Sequence, residues 1–141
     1  MTSPRATLVA ACLCTVLLAG GCTRGRASVP RLSVSLPFGG VDPVGEPEND
    51  GTLKLTGWVL SEDPILTVAL YIDRRYVSSA RLQQPRPDVN RAYPAFGSVN
   101  AGWAIEFDTR LFPGDHELVV QARTVHDAVR DLLTAKRHFR D

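Results

Sequence analysis

Cysteine and histidine are the residues of this 141-residue chain best suited to covalent, metal or acid–base chemistry, and their placement is uneven. Cys12, Cys14 and Cys22 all fall in the first 22 residues and none follows. The rest of the chain therefore has no disulfide of its own and no thiolate zinc site. His116, His126 and His138 are not joined by any Gly-x-Ser-x-Gly elbow or His-Glu-x-x-His spacing. His116 reads as fixing a turn into a strand, and His126-Asp127 with Asp131 as a solvated polar turn. The oxygen-rich run Glu46, Glu48, Asn49 and Asp50 lacks the Asp-x-Asp-x-Asp-Gly register and bidentate Glu of a calcium loop. Asp88-Val89-Asn90 is no better as a cation site. The sequence thus predicts no catalytic residue, no metal and no cofactor.

One segment has a different character. Gln83–Ala101 is long and little patterned, with Pro85, Pro87 and Pro94, and it carries Arg86, Asp88, Arg91 and Tyr93. Loops of that length are usually functional or disordered. Two readings stay open. In the first, the loop is a clasp in which Asp88 pairs with a nearby Arg and Tyr93 covers the edge of the domain. In the second, it is a recognition loop with Arg91 and Tyr93 as its contacts. Asp88 is assigned to structure, and Arg91 and Tyr93 to binding. Trp58 and Trp103 each follow a Gly within an alternating segment, which suits sheet packing better than a sugar platform.

The first 22 residues are a unit of their own. Arg5 and the amino terminus precede Ala6–Gly20, an uncharged and mostly apolar run. Fifteen helical residues would span about 22 Å, short of the roughly 30 Å hydrocarbon core, so a signal h-region fits better than a permanent span. The run ends Leu17-Leu18-Ala19-Gly20-Gly21-Cys22, which resembles the lipobox of bacterial lipoproteins, with Ala19 where Leu is more usual. Small residues before the cut suit a narrow peptidase cleft, and the Cys22 thiol accepts diacylglycerol. An ordinary signal peptide cut nearby would instead leave Cys22 an incidental thiol; the complete h-region favours lipidation. Thr23, rather than Asp, after the cysteine is the pattern that permits outer-membrane sorting in proteobacterial lipoproteins.

The elements that follow are extended. Residues 22–37 read as a tether, polar at Thr23–Pro30, with Arg31–Leu36 alternating at Leu32, Val34 and Leu36 as either a strand or an extended lead-in. Pro37–Gly51 holds three prolines and four glycines, which excludes a helix and leaves room for a short edge strand near Val41. Period two then sets in at Leu53, Leu55 and Val59. It continues at Val68, Leu70 and Ile72, at Trp103, Ile105 and Phe107, and at Leu118, Val120 and Ala122. Residues 66–82 read as one hairpin turning at Asp73-Arg74-Arg75. The last segment has helical spacing at Val129, Leu132 and Leu133, but alternates at Leu133, Ala135 and Phe139. A final strand is favoured, because six or seven short strands must close a sandwich edge. The fold class is all-β, an antiparallel sandwich over residues 38–141.

Those strands are also similar to a bacterial immunoglobulin-like domain of exported and cell-surface proteins. The matching pieces include Leu55-Thr56-Gly57-Trp58-Val59-Leu60, Val68-Ala69-Leu70-Tyr71-Ile72-Asp73, Pro85-Arg86-Pro87-Asp88-Val89, Gly102-Trp103 and Pro113-Gly114-Asp115-His116. The resemblance runs from about Phe38 to Val125. It implies an immunoglobulin-like β-sandwich used for spacing, adhesion, or carbohydrate and protein contact, and no catalytic residues. Two turns depart from the pattern, Asp73-Arg74 in place of Asp-Gly and Asp127-Ala128-Val129-Arg130 in place of a Gly-containing turn, so both are expected to be built differently.

Charge narrows the partners. After Cys22 the chain carries 15 basic and 15 acidic residues, a balance that argues against nucleic acid. The expectation is a non-enzymatic binding or presentation module, lipid-anchored in the bacterial envelope, at the outer membrane or cell surface, with a protein or glycan partner. The alternative is an accessory subunit that docks or stabilises a larger secretion or transport complex. A glycan-active enzyme is disfavoured, since no paired acid–base constellation is present.

Overall fold

The computed structural model describes residues 35–140. The proposed signal peptide, Cys22 and most of the proposed tether lie outside the described residues.

Eight strands form two four-stranded antiparallel sheets. They are β1 (Phe38–Val41), β2 (Thr52–Leu60), β3 (Ile65–Ile72), β4 (Arg75–Ser79), β5 (Arg81–Gln84), β6 (Gly102–Asp108), β7 (Gly114–Thr124) and β8 (Val129–Phe139). The first sheet has the order β1-β2-β6-β5 and the second β4-β3-β7-β8. That is the strand order of an immunoglobulin-type sandwich, with one strand added beside the third. The expected all-β sandwich is therefore what the chain forms, and its last segment is a strand.

Period two puts every second residue of the inner strands into one core. In the first sheet Leu53 pairs with Phe107, Leu55 with Ile105 and Gly57 with Trp103. In the second, Val68 pairs with Ala122, Leu70 with Val120 and Ile72 with Leu118. All of these side chains are buried in one cluster, closed at one end by Phe139. Gly57 belongs to this inward row because nothing larger fits: a Cβ there would collide with the Gly40 carbonyl oxygen and the Trp103 ring.

Three local features differ from expectation. The segment after Tyr76 does not stay in one hairpin: β4 pairs with β3, whereas β5 pairs with β6 in the other sheet. The chain changes sheets at Ala80, whose N–H still reaches the Val68 carbonyl at 2.7 Å. The turn at Asp73-Arg74 is built after all as a glycine-bearing one would be, with φ of 48° and 65°, the backbone signature of a type I′ hairpin. Asp73 offsets the strain by accepting the Glu117 N–H at 3.0 Å. In the last hairpin Asp127, at φ 61°, takes the left-handed position that glycine usually fills. The Thr124 hydroxyl accepts the Ala128 N–H at 3.1 Å and fixes that loop.

The register also sorts the loops. Phe38 pairs with Leu60, so the chain comes into the sandwich beside the β2–β3 loop, the β5–β6 loop and the β7–β8 loop. This is the proximal end. Phe139 pairs with Gly114 at the opposite, distal end, beside the Asp73-Arg74 turn.

Candidate functional site

The β5–β6 loop is the most elaborated part of the proximal end. Proline shapes it twice. Pro87 opens a short helix α1 (Pro87–Ala92), where its fixed φ suits the first helical position, and Asp88 sits in the first turn. Pro94 then forbids continuation and opens one 3-10 turn (Pro94–Phe96), which Gly97 ends at φ 58°. What sequence reading takes as an unpatterned loop beginning at Gln83 is thus the end of β5 followed by two compact turns.

This platform covers the outer face of the first sheet. Leu60 points outward from β2 and is buried with Val89 of α1 and Ala101, with Phe38 and Trp58 packed against them. Tyr93 lies 5.4 Å from both the Phe38 and Trp58 rings, and Phe96 lies 5.3 Å from Phe38. The planes cross at 74° for Phe38–Tyr93, 64° for Phe38–Phe96 and 88° for Phe38–Trp58. Edge-to-face geometry of this kind is aromatic packing, while Trp58 and Tyr93 lie closer to parallel, with 32° between their planes.

Arg86 fastens the platform. Its Nη1 donates to the two Asp42 carboxylate oxygens at 3.2 and 3.0 Å, while Nε and Nη2 donate to Asp88 at 2.9 and 2.8 Å. Asp42 also accepts the Thr56 hydroxyl at 2.9 Å. One guanidinium thereby joins the segment after β1, strand β2 and helix α1, which suits the five fixed donors of arginine. The Arg86 hydrogen bonds, then its charge and the Val89 N–H, hold the Asp88 carboxyl at about 2, well below its ordinary 3.8.

The expected roles can now be placed. Asp88 does pair with a nearby arginine. Tyr93 does cover the sandwich, over a face rather than an edge. Arg91 is exposed and has no ion pair among the described residues. Phe38, Asp42 and Phe96 belong to the same site and were not singled out by sequence. Val41-Asp42-Pro43 entered only as a piece of the immunoglobulin-like resemblance, and the arginine that Asp42 meets stands 44 positions away.

The histidines fall into His–Asp pairs, two of them side by side at the distal end. At the distal end His116 Nδ1 meets Asp73 Oδ2 at 2.6 Å, and its Nε2 faces the Pro113 carbonyl at 3.1 Å. Both ring nitrogens face acceptors, so the imidazolium satisfies both. The Asp73 hydrogen bond and then the Pro113 carbonyl raise the His116 pKa above 6.5. Asp73 is lowered in turn, by the Glu117 N–H first and His116 second. His126 pairs with Asp63 at 3.1 Å and His138 with Asp115 at 2.8 Å. Asp50 is occupied in accepting the Thr52 N–H at 2.8 Å. Among the described residues no three potential metal ligands come together.

No family model matches the chain, and no curated protein matches it. Among the described residues no helix is long and apolar enough to cross a membrane.

Proposed function

We propose that this chain is a lipid-anchored envelope protein, tethered through Cys22, whose sandwich makes a non-covalent contact through the α1 platform. The observation that carries the reading is the Arg86 clasp. It holds Tyr93, Phe96 and the exposed Arg91 in place at no further ordering cost to a partner, and preorganisation is what a contact surface needs.

Docking into a larger complex by strand addition finds less support. Edge strands β1 and β5 are four residues each. The long edge strand β8 carries Arg130, Asp131, Lys136, Arg137 and His138, charges that discourage edge pairing.

The test has two parts. Mass spectrometry of the mature protein should find an acylated N-terminal Cys22, and Cys22→Ala should abolish processing or release the protein. Arg91→Ala should weaken the contact at least several-fold while leaving the melt within a few degrees, and Tyr93→Ala should weaken it while also lowering the melt, because it removes a ring packed on Phe38 and Trp58. A mature protein that begins elsewhere and fractionates as soluble would remove the anchor. Full binding by both variants would remove the platform.

A further inference from the structure

Nine large apolar side chains remain exposed among the described residues, and only Tyr76 and Leu111 lie away from the proximal end. The platform contributes Tyr93, Phe96 and Val99, exposed by 40%, 37% and 53%. Leu36 at 56%, just before β1, and Val125 at 46%, in the β7–β8 loop, stand beside it, with the first turns of β3 and β8 adding one each. A single domain scatters such residues unless they have a common surface to meet.

The chain itself says which surface. From Cys22 to Ser35 there are thirteen peptide steps, at most about 45 Å when fully stretched. That stretch contains Arg24, Arg26 and Arg31 and no acidic residue. It joins the sandwich at Phe38, whose ring packs against Tyr93 and Phe96 of the exposed apolar group. Around that group Asp63, Asp88 and Asp127 each face a base, namely His126, Arg86 and Arg123. Arg91 and Arg130 stand against Glu62 and Asp131, so the basic excess next to this end is carried by the stretch from Cys22 to Ser35. An apolar, aromatic-bearing end that continues a basic, acid-free segment suits the interface of an anionic bilayer.

Resting on the Cys22 anchor, we infer that the partner of the platform is the bilayer itself: the proximal end seats in the lipid headgroup region. The distal end, with the Asp73-Arg74 turn, then faces away from the membrane.

The test uses the full acylated chain in vesicles of phosphatidylethanolamine and phosphatidylglycerol, with or without bromine on the acyl chains near the headgroup. Trp58 sits in the platform cluster and Trp103 is sealed in the core, so the bromines should quench part of the emission in wild type and almost none in Trp58→Phe. The double variant Val99→Asp/Val125→Asp alters two exposed side chains. It should cut the quenching at least threefold while keeping the wild-type melt. Replacing phosphatidylglycerol with phosphatidylcholine should at least halve it. Equal emission in brominated and plain vesicles, from protein shown by mass to be acylated and floating with the lipid, overturns the inference. Protein that lacks the acyl mass and does not float overturns the anchor instead. No quenching together with a photo-crosslink from position 99 to an envelope protein overturns lipid in favour of a protein partner.

Discussion

Removing the Arg86 guanidinium is the sharpest test of how the platform is held. Arg86→Met keeps most of the apolar stem and deletes the guanidinium donors to Asp42 and Asp88, leaving the Thr56 hydroxyl and the Val89 N–H. The side chain is 22% exposed, and its partners are 36% and 59% exposed, so solvent already screens part of each pair. Charge-assisted hydrogen bonds contribute about 1.5–3 kcal/mol each when well buried, and exposed ion pairs about 0.2–1. A half-screened fork to two carboxylates falls between, at about 1.5 kcal/mol in total. For a domain of about 100 residues this lowers Tm by roughly 6–12 °C. Arg86→Lys should recover less than half of the loss, because one ammonium cannot reach both carboxylates with parallel bonds. The assay is a calorimetric melt together with amide hydrogen exchange. Protection at Asn90 and Tyr93, whose N–H groups bond to Arg86 and Val89 carbonyls, should fall before protection in β2 or β6 does. An Arg86→Met protein that melts like wild type with unchanged exchange at those amides would show that the aromatic cluster alone holds the platform.

Three further outcomes follow from the same geometry. His116 has a raised pKa, so its stabilisation is complete below pH 6.5 and declines as pH rises through the higher folded-state value. Melts from pH 5.5 to 8.5 should therefore show Tm falling across that window, with the slope lost in His116→Gln. Gly57→Ala should cost about 2–3 kcal/mol, read as a lower urea midpoint, because the new methyl meets backbone on one side and the Trp103 ring on the other. Arg74→Gly should raise stability by up to about 1 kcal/mol, since it relieves a left-handed backbone of its Cβ; a lower midpoint would mean that the Arg74 side chain makes a stabilising contact.

The sandwich was legible because burial alternates wherever two sheets enclose one core, and Leu53, Leu55, Trp103 and Ile105 carry that alternation plainly. The exchange of sheets at Ala80 was not, since period two runs through Tyr76–Leu82 without a break while the hydrogen-bond partner changes. The two hairpin turns hid behind residue type: Asp73, Arg74 and Asp127 take up backbone angles usually signalled by glycine. Helix α1 spans six residues, too few for a 3.6-residue period to show. The clasp itself was half visible. Asp88 and Arg86 are neighbours in sequence, but Asp42 reaches them only once β1 has paired with β2, and no local pattern records that.

The chain enters beside Leu60 and leaves beside Gly114, at opposite ends of the sandwich. A pull applied at Ser35 and Arg140 therefore runs along the strands and loads their ladders in shear, many hydrogen bonds at once, rather than unzipping them singly. Resistance to such a pull is set by the rate of unfolding and not by equilibrium stability. The two terminal strands are unequal, four residues in β1 against eleven in β8. Under tension β1 yields first, drawing Phe38 out from between Trp58, Tyr93 and Phe96 and Asp42 away from Arg86. A pull on the chain ahead of β1 would thereby loosen the platform before the core between the sheets opens.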